Sequence, residues 1–332
     1  MSLVGIIANP AAGKDIRRIV SEAVTVNNHE KANIVRRVML ALADCAVERI
    51  ELMPDLVGIS ASALQAVSAH GDFHAEAALI EMDVDGKIYD TLEAATYLAE
   101  AGAGCIVVLG GDGTARAVSK VCGETPILPV SSGTNNVVPY FIEGTVAGLA
   151  AGYVAVRSPD LPEVAFRHKR LVVHVDGEAV DHALVDVAVV SAAFVGSRAV
   201  WDPAALRQVL VTRAHPYHTG ISSLVGMLHP ISELEPGGAT ICVEPEGQRV
   251  RAPIVPGVMT EVGLGELKLL QPGERCPIEI DGPTVLALDG EREVVLHPGM
   301  HCEVELDLHG PWIVDVPRTL ALAVSEGFFR SR

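Results

Sequence analysis

The chain has 332 residues, 49% hydrophobic and 20% charged. That is enough for about two domains of roughly 100–200 residues with a sizeable core, and nothing in it points to disorder. With 25 basic and 42 acidic residues the formal charge is −17, which repels nucleic acid and anionic membrane surfaces. An anionic ligand therefore needs local devices: backbone amides, a few Lys or Arg, or a metal ion.

Aromatic residues make up 4% of the chain, too few for base-stacking platforms. The six cysteines (45, 105, 122, 242, 276 and 302) form no C-x-x-C pair, which argues against zinc and against a disulfide framework. No basic segment precedes the short apolar run at the N-terminus, and no apolar run approaches the ~20 residues that span a bilayer. A cytoplasmic protein is expected.

Residues 3–8 are continuously apolar and end at Asn9-Pro10, a buried strand and a turn. A helix is predicted from Asp15, another over 34–45, a strand over 48–53, a helix over 60–69 and a strand over 75–82. An Ala-rich helix starts at Asp90-Thr91 and closes at Gly102-Ala103-Gly104. Cys105 to Leu109 is a strongly apolar strand, Gly110 to Thr114 breaks it, and a helix over 115–121 and a strand over 127–130 follow. Strands alternating with helices predict a parallel sheet covered on both faces.

Composition shifts near Gly152. Short strand-like runs then dominate 163–310, at 171–175, 183–191, 239–243, 254–258, 266–270, 284–288 and 294–296. Turn signals such as Asp176-Gly177, Asp281-Gly282 and Asp289-Gly290 separate them, and one helix interrupts at 220–227. Residues 320–329 again have a helical pattern. The expected class is α/β: a Rossmann-like parallel-sheet domain over 1–152, completed by a C-terminal helix within 315–332, and an all-β, sandwich-like domain over 163–310. A nucleotide would lie in the cleft between them.

Gly110-Gly111-Asp112-Gly113-Thr114 stands between strand and helix, where glycines allow close backbone approach to a phosphate and the helix start offers N–H groups and a favourable dipole. Thr114 is placed to cap that helix or donate to phosphate. A carboxylate beside phosphates is explained if Asp112 orients Mg²⁺ or takes a proton from an attacking hydroxyl. A capped tight turn is the competing interpretation.

This motif resembles the signature of the NAD kinase/diacylglycerol kinase superfamily, and other segments match in the same order. Asn9-Pro10 with Gly13-Lys14 is similar to the opening N-P-x-x-G turn, which implies that Asn9 braces nucleotide phosphates, with Lys14 in reach of one. Pro129-Val-Ser-Ser-Gly133-Thr134-Asn135-Asn136 resembles the lipid-kinase loop P-x-G-T-x-N-D and implies a second phosphate or ribose contact. Asp289-Gly290-Glu291 resembles the D-G-E turn of these families. Ala183 to Val189 is similar to A-L-N-E-V-x-[IV] of NAD kinases, with Val185 replacing Asn and Asp186 replacing Glu. His218-Thr219-Gly220-Ile221-Ser222-Ser223 is similar to T-P-T-G-S-T-A, implying Thr219 and Ser222 as helix-start donors. Over nearly its full length the chain most resembles the acetoin catabolism protein X group, on Tyr89-Asp90-Thr91, the 106–114 run, Ser132-Gly-Thr-Asn-Asn136 and Gly196 to Pro203.

The resemblance implies an NAD kinase-like fold and ATP-dependent phosphoryl transfer to a hydroxyl of a soluble acceptor, NAD or a related metabolite, with Mg²⁺ offsetting charge. A homo-oligomer, dimer or tetramer, is expected. A lipid kinase is disfavoured by Asn136, which replaces an acid, and by the acidic surface. A nucleotide-binding regulator is favoured by Val185 and Asn136. A Rossmann dehydrogenase lacks its G-x-G-x-x-G. Arg198, Trp201 and Asp202 stay open between anion contact and packing, and His215, His218 and His229 have no metal-ligand spacing.

Overall fold

A computed structural model describes residues 1–12, 26–69, 71–133, 136–191 and 203–330. The predicted helix from Asp15, Gly13-Lys14, Thr134-Asn135 and Arg198, Trp201 and Asp202 lie outside them.

The first half alternates β1 (Leu3–Ala8), α1 (Asn28–Asp44), β2 (Arg49–Leu52), α2 (Ile59–Ser68), β3 (Glu76–Leu79), α3 (Ile88–Glu100), β4 (Cys105–Gly110), α4 (Asp112–Ser119), β5 (Ile127–Ser131) and α5 (Gly144–Arg157). β1 and β4 are apolar without alternation because both their faces are covered. Val4, Ile6, Val107 and Leu109 pack under α1, α2 and α5, while Ile7, Ile106 and Val108 pack under α3 and α4. The sheet runs β3-β2-β1-β4-β5 in parallel register.

The composition shift near Gly152 falls inside α5, whose Gly/Ala/Val content hides its helical period. Its glycines are spaced by four. A Cβ on Gly144, Gly148 or Gly152 would meet Ile34 O at 2.8 Å, Val38 O at 2.6 Å or Cys45 Cβ at 2.6 Å. The α5 backbone therefore lies directly on α1. Gly148→Leu should lower stability by about 1–3 kcal/mol, read as a lower urea midpoint. An unchanged midpoint would mean that the two helices separate without cost.

After a helical turn, α6 (Leu161–Val164), β6 (Ala165–Arg167) pairs into this same sheet rather than with the β-rich half, where the sequence placed it. The β-rich half contains β7 (Arg170–Val175), β8 (Glu178–Ala183), β9 (Asp186–Ser191), β10 (Leu206–Val211), the turn α7 (Ser223–Gly226), β11 (Gly238–Val255), β12 (Val258–Leu264), β13 (Lys268–Leu270), β14 (Arg275–Ile278), β15 (Thr284–Leu288), β16 (Glu291–Leu296) and β17 (Cys302–Asp307). All the ladders among them are antiparallel. A large sheet, β12-β11-β10-β9-β15-β16, faces a four-stranded sheet, β14-β17-β7-β8. Val187 and Val189 of β9 point into the layer between them, and Ala188 and Val190 into the cluster that also holds Leu224 and Val225 of α7. The run predicted as one strand over 183–191 breaks at Leu184-Val185, because β8 and β9 belong to different sheets.

The chain then returns. β18 (Trp312–Val314) inserts between β5 and β6, and α8 (Val316–Ser325) packs its Val316 and Ala323 into the core beside Tyr153. The molecule is thus a mixed α/β protein with a parallel-sheet domain and an antiparallel β domain.

Candidate functional site

The order β2-β1-β4-β5 reverses direction of winding at β1/β4, and in open α/β sheets that crevice, at the carboxyl ends of the strands, is where ligands bind. Three segments leave the sheet there side by side: Asn9-Pro10 after β1, Gly110 to Thr114 after β4, and Ser132-Gly133 after β5. They are sewn together by backbone and side-chain bonds. Asn9 N–H donates to Leu109 O (3.0 Å) and Ser132 N–H to Gly110 O (3.1 Å). Asn9 Nδ2 donates to Thr114 Oγ1 (2.9 Å), and its Oδ1 accepts from Ala11 N–H (2.8 Å).

Gly110, Gly111 and Gly113 all lie outside the positive-φ region. Gly110 and Gly111 are required for space, since an added Cβ would meet Thr114 Cβ at 2.6 Å or Asn136 Oδ1 at 2.8 Å; at Gly113 it would come within 3.2 Å of Glu291 Oε1. The three glycines thus bring the turn against three different groups, the last of them from the β domain.

Asp112 opens α4 and is almost buried. Its carboxylate accepts from the amides of Val137 (3.0 Å) and Val138 (2.8 Å), so it locks the segment that follows the second glycine turn. Asn136 completes the lock: its Nδ2 donates to Ser131 Oγ (2.8 Å) and Gly133 O (3.3 Å) while its Oδ1 sits over Gly111. In sequence Asn136 closes the second glycine motif and replaces an acid; its bridge to the first turn had no local signal.

Lys31 was missed for a similar reason. In sequence it is one charged residue of a polar helix start. In the fold it is fully buried, and its Nζ donates to Asn9 O (3.0 Å), Pro10 O (3.4 Å) and Ala12 O (3.0 Å), placing a positive charge directly behind the first turn.

The turn Asp289-Gly290 has φ of +51° and +80°, the signature of a tight type I′ hairpin between β15 and β16. The buried Asp289 carboxylate accepts from the amides of Leu184 (3.0 Å), Val185 (2.7 Å) and Asp186 (3.2 Å). It therefore pins the crossing from β8 to β9. Val185 is buried in the apolar cluster that includes Val137 and Val138 and offers no side-chain polar group where NAD kinases have Asn. Asp186 is buried at the start of β9, an inner strand between β10 and β15. Ser222 and Thr219 precede only a four-residue helix, and Ser222 makes no side-chain cap bond.

One group ties the two domains together at this point. Arg116, on α4 just past the glycine turn, is 1% exposed. Its nitrogens lie 3.2 Å from Asp181, 3.7 Å from Asp289 and 3.0 Å from Glu293. Burial opposes its charge, but these carboxylates outweigh burial and hold it above its usual range. Burial pushes the Asp289 carboxyl up against the pull of Arg116 and the three amides. Lys120 adds an ion pair to Asp181 (2.7 Å), and Ser119 Oγ meets His182 Nε2 at 2.7 Å. Among the described residues, no group of three His, Cys, Asp or Glu converges to cage a metal, and no helix is long and apolar enough to cross a membrane.

Residues 4–157 match the ATP-NAD kinase N-terminal domain family, and residues 169–309 match the acetoin catabolism protein X C-terminal domain family. The chain is 37% identical to acetoin catabolism protein X of Cupriavidus necator, over 99% of this chain and 94% of that protein. The chain belongs to the acetoin catabolism protein X family. Its fold is NAD kinase-like, and the glycine turn after β4 falls within the NAD kinase match. A solved structure from Bacillus anthracis strain Sterne, provisionally named a diacylglycerol kinase, superposes with a TM-score of 0.49 at 11% identity, over 94% of this chain and 97% of that one.

Proposed function

We propose that this acetoin catabolism protein X family member is an ATP-dependent phosphotransferase that phosphorylates a hydroxyl of a soluble acceptor. The observation that carries this reading is the lock between the two glycine turns: Asp112 on the amides of Val137 and Val138, Asn136 over Gly111, and Asn9 on Thr114, all at the winding reversal of a parallel sheet. Such a lock fixes backbone amides at a helix start, the arrangement that binds polyphosphate. Asn9, Gly110, Gly111, Gly113, Thr114 and Gly133 would hold the nucleotide; Lys14, Thr134 and Asn135, outside the described residues, join them on the sequence resemblance alone.

In this reading Asp112 orients rather than cages. Its carboxylate sets the second turn against the first, and Glu291 presents a carboxylate to Gly113 from the β domain. One or two carboxylates together with substrate phosphates is the donor set that Mg²⁺ favours, so the residues fit a nucleotide-borne Mg²⁺ with Glu291 as its protein ligand. The ion would offset charge on the transferred phosphoryl group. Val185 removes the amide that NAD kinases use for the dinucleotide, which argues against NAD itself as the acceptor. A role in acetoin breakdown is supported by the name of the relative.

The test is ADP binding and ADP production with ATP, Mg²⁺ and a panel of alcohols that includes NAD. Gly111→Ala drives a Cβ into Asn136 and should weaken ADP binding about a hundredfold, a loss of roughly 3 kcal/mol. Wild-type protein that binds neither ADP nor ATP would end this reading. Binding without turnover would favour a nucleotide-responsive regulator instead.

A further inference from the structure

A second set of polar groups is buried beside the locked turns. Thr212 N–H donates to Val185 O (2.9 Å), and the chain beyond β10 continues through Arg213 to a bridge between Ala214 and Ile231. That bridge brings Arg213 and His215 to Glu233. Arg213 is 3% exposed, and its Nη2 lies 3.3 Å from Glu233 Oε2. Its Nε and Nη1 are buried and have no hydrogen-bond partner. His215 Nε2 lies 3.6 Å from the same carboxylate oxygen, and its ring meets His218 edge-on at 5.2 Å. His218 is 5% exposed, and its Nδ1 is also buried without a partner.

A guanidinium carries five donors in a fork that matches a two-oxygen anion. A single carboxylate oxygen engages one arm and leaves the rest of the fork facing inward. Buried polar atoms without partners are rare in native folds and mark places where a missing group belongs.

The charged groups around the fork are Arg213, Lys169, Glu233 and Glu235. Burial pushes His168 and His218 down to about 3, which keeps both neutral. Arg213 and the buried Lys169 then face Glu233, with Glu235 exposed beyond it. Glu233 and Glu235 balance the two cations, so what invites an anion is the unfilled guanidinium fork rather than net charge. The Arg213 charge also acts on Tyr140, whose carbonyl accepts from Ser131 N–H (2.7 Å) two residues after Val138. The set therefore flanks the second glycine turn.

We propose that Arg213, with His215 and His218 beside it, is an oxyanion-binding site that receives the acidic group of the phosphoryl acceptor, a carboxylate or a phosphate. That the anion belongs to an acceptor rests on the phosphotransferase reading; that the site binds an oxyanion does not.

Acetate and inorganic phosphate are titrated into the full chain at constant ionic strength, followed by calorimetry and thermal unfolding. Wild-type protein should respond saturably to at least one of them, and the one that binds names the group. Arg213→Gln should weaken that response about tenfold or more, whereas Arg249→Gln, at an exposed arginine, should leave it unchanged. Glu233→Gln removes the competing carboxylate and should tighten binding about tenfold, which decides the matter if Arg213→Gln does not fold. ADP binding, measured on the same samples, should survive Arg213→Gln. No saturable response in wild type, an Arg213→Gln titration equal to wild type, or weaker binding in Glu233→Gln overturns the site. Loss of ADP binding throughout would count against the phosphotransferase reading alone.

Discussion

Replacing Arg116 with methionine should cost about 3–5 kcal/mol of stability, because it leaves a buried carboxylate uncompensated rather than merely deleting a contact. Asp289 is fully enclosed and already pushed up by burial, and Asp181 and Glu293 converge on the same guanidinium. Lys120 still neutralises Asp181 in the variant, so the cost falls mainly on Asp289 and Glu293. The loss should appear as a lower guanidinium midpoint. ADP affinity should fall with it, since Arg116 is one helical turn past Asp112 and anchors the hairpin that carries Glu291 to Gly113. Arg116→Lys keeps the charge but not the fork and should recover only part of both. A variant with wild-type midpoint and ADP affinity would show that the interdomain cluster is dispensable.

The protein should also lose stability steeply in mild acid. Burial pushes His168 and His218 down to about 3 and His182 down to about 4. An unfolded imidazole titrates near 6.5. Between these values the unfolded chain takes up protons that the folded chain refuses, so stability is complete above about pH 6.5 and falls as pH drops toward the folded values. At pH 5 each fully buried histidine accounts for a loss of about 2 kcal/mol. Three together approach the scale of a whole domain's stability, about 5–15 kcal/mol. Carboxylates held low by ion pairs, such as Asp181, add to the loss only below about pH 4. Asp289, raised by burial, works in the opposite direction. His182→Gln preserves a partner for Ser119 and should flatten the slope by about one histidine's share. A urea midpoint that is flat from pH 7 to pH 5 would contradict the placement of all three rings.

The strand–turn–helix pattern of the first half was legible because its two signals, apolar runs and glycine punctuation, are local. β1, β4 and the turn after β4 follow directly from them. α5 was not legible, since a helix built to lie on another helix's backbone carries glycines where helical propensity would place alanine. The strands 206–211, 275–278 and 302–307 were passed over because each mixes charged or proline residues with its apolar ones.

In the site, Asp112, Thr114, Asn9, Asp289 and Glu291 were visible as motifs, and the fold brings them to one crevice. Lys31, Arg116 and Arg213 were not visible, because each owes its role to a partner distant in sequence. Lys31 acts on the turn at residues 9–12, Arg116 on residues 181–293, and Arg213 on Glu233. A charged residue looks the same in sequence whether it faces water or a buried carbonyl.

The late insertion of β18 has a consequence for synthesis. Until residue 314 leaves the ribosome, β5 has an open edge, β6 has no neighbour, and the apolar face of α5 around Tyr153 waits for the helix that covers it. Unpaired edges and bare apolar faces invite association with other nascent chains. The first domain to emerge is therefore the last to close, and a chaperone that shields it has to hold on while the entire β domain is translated.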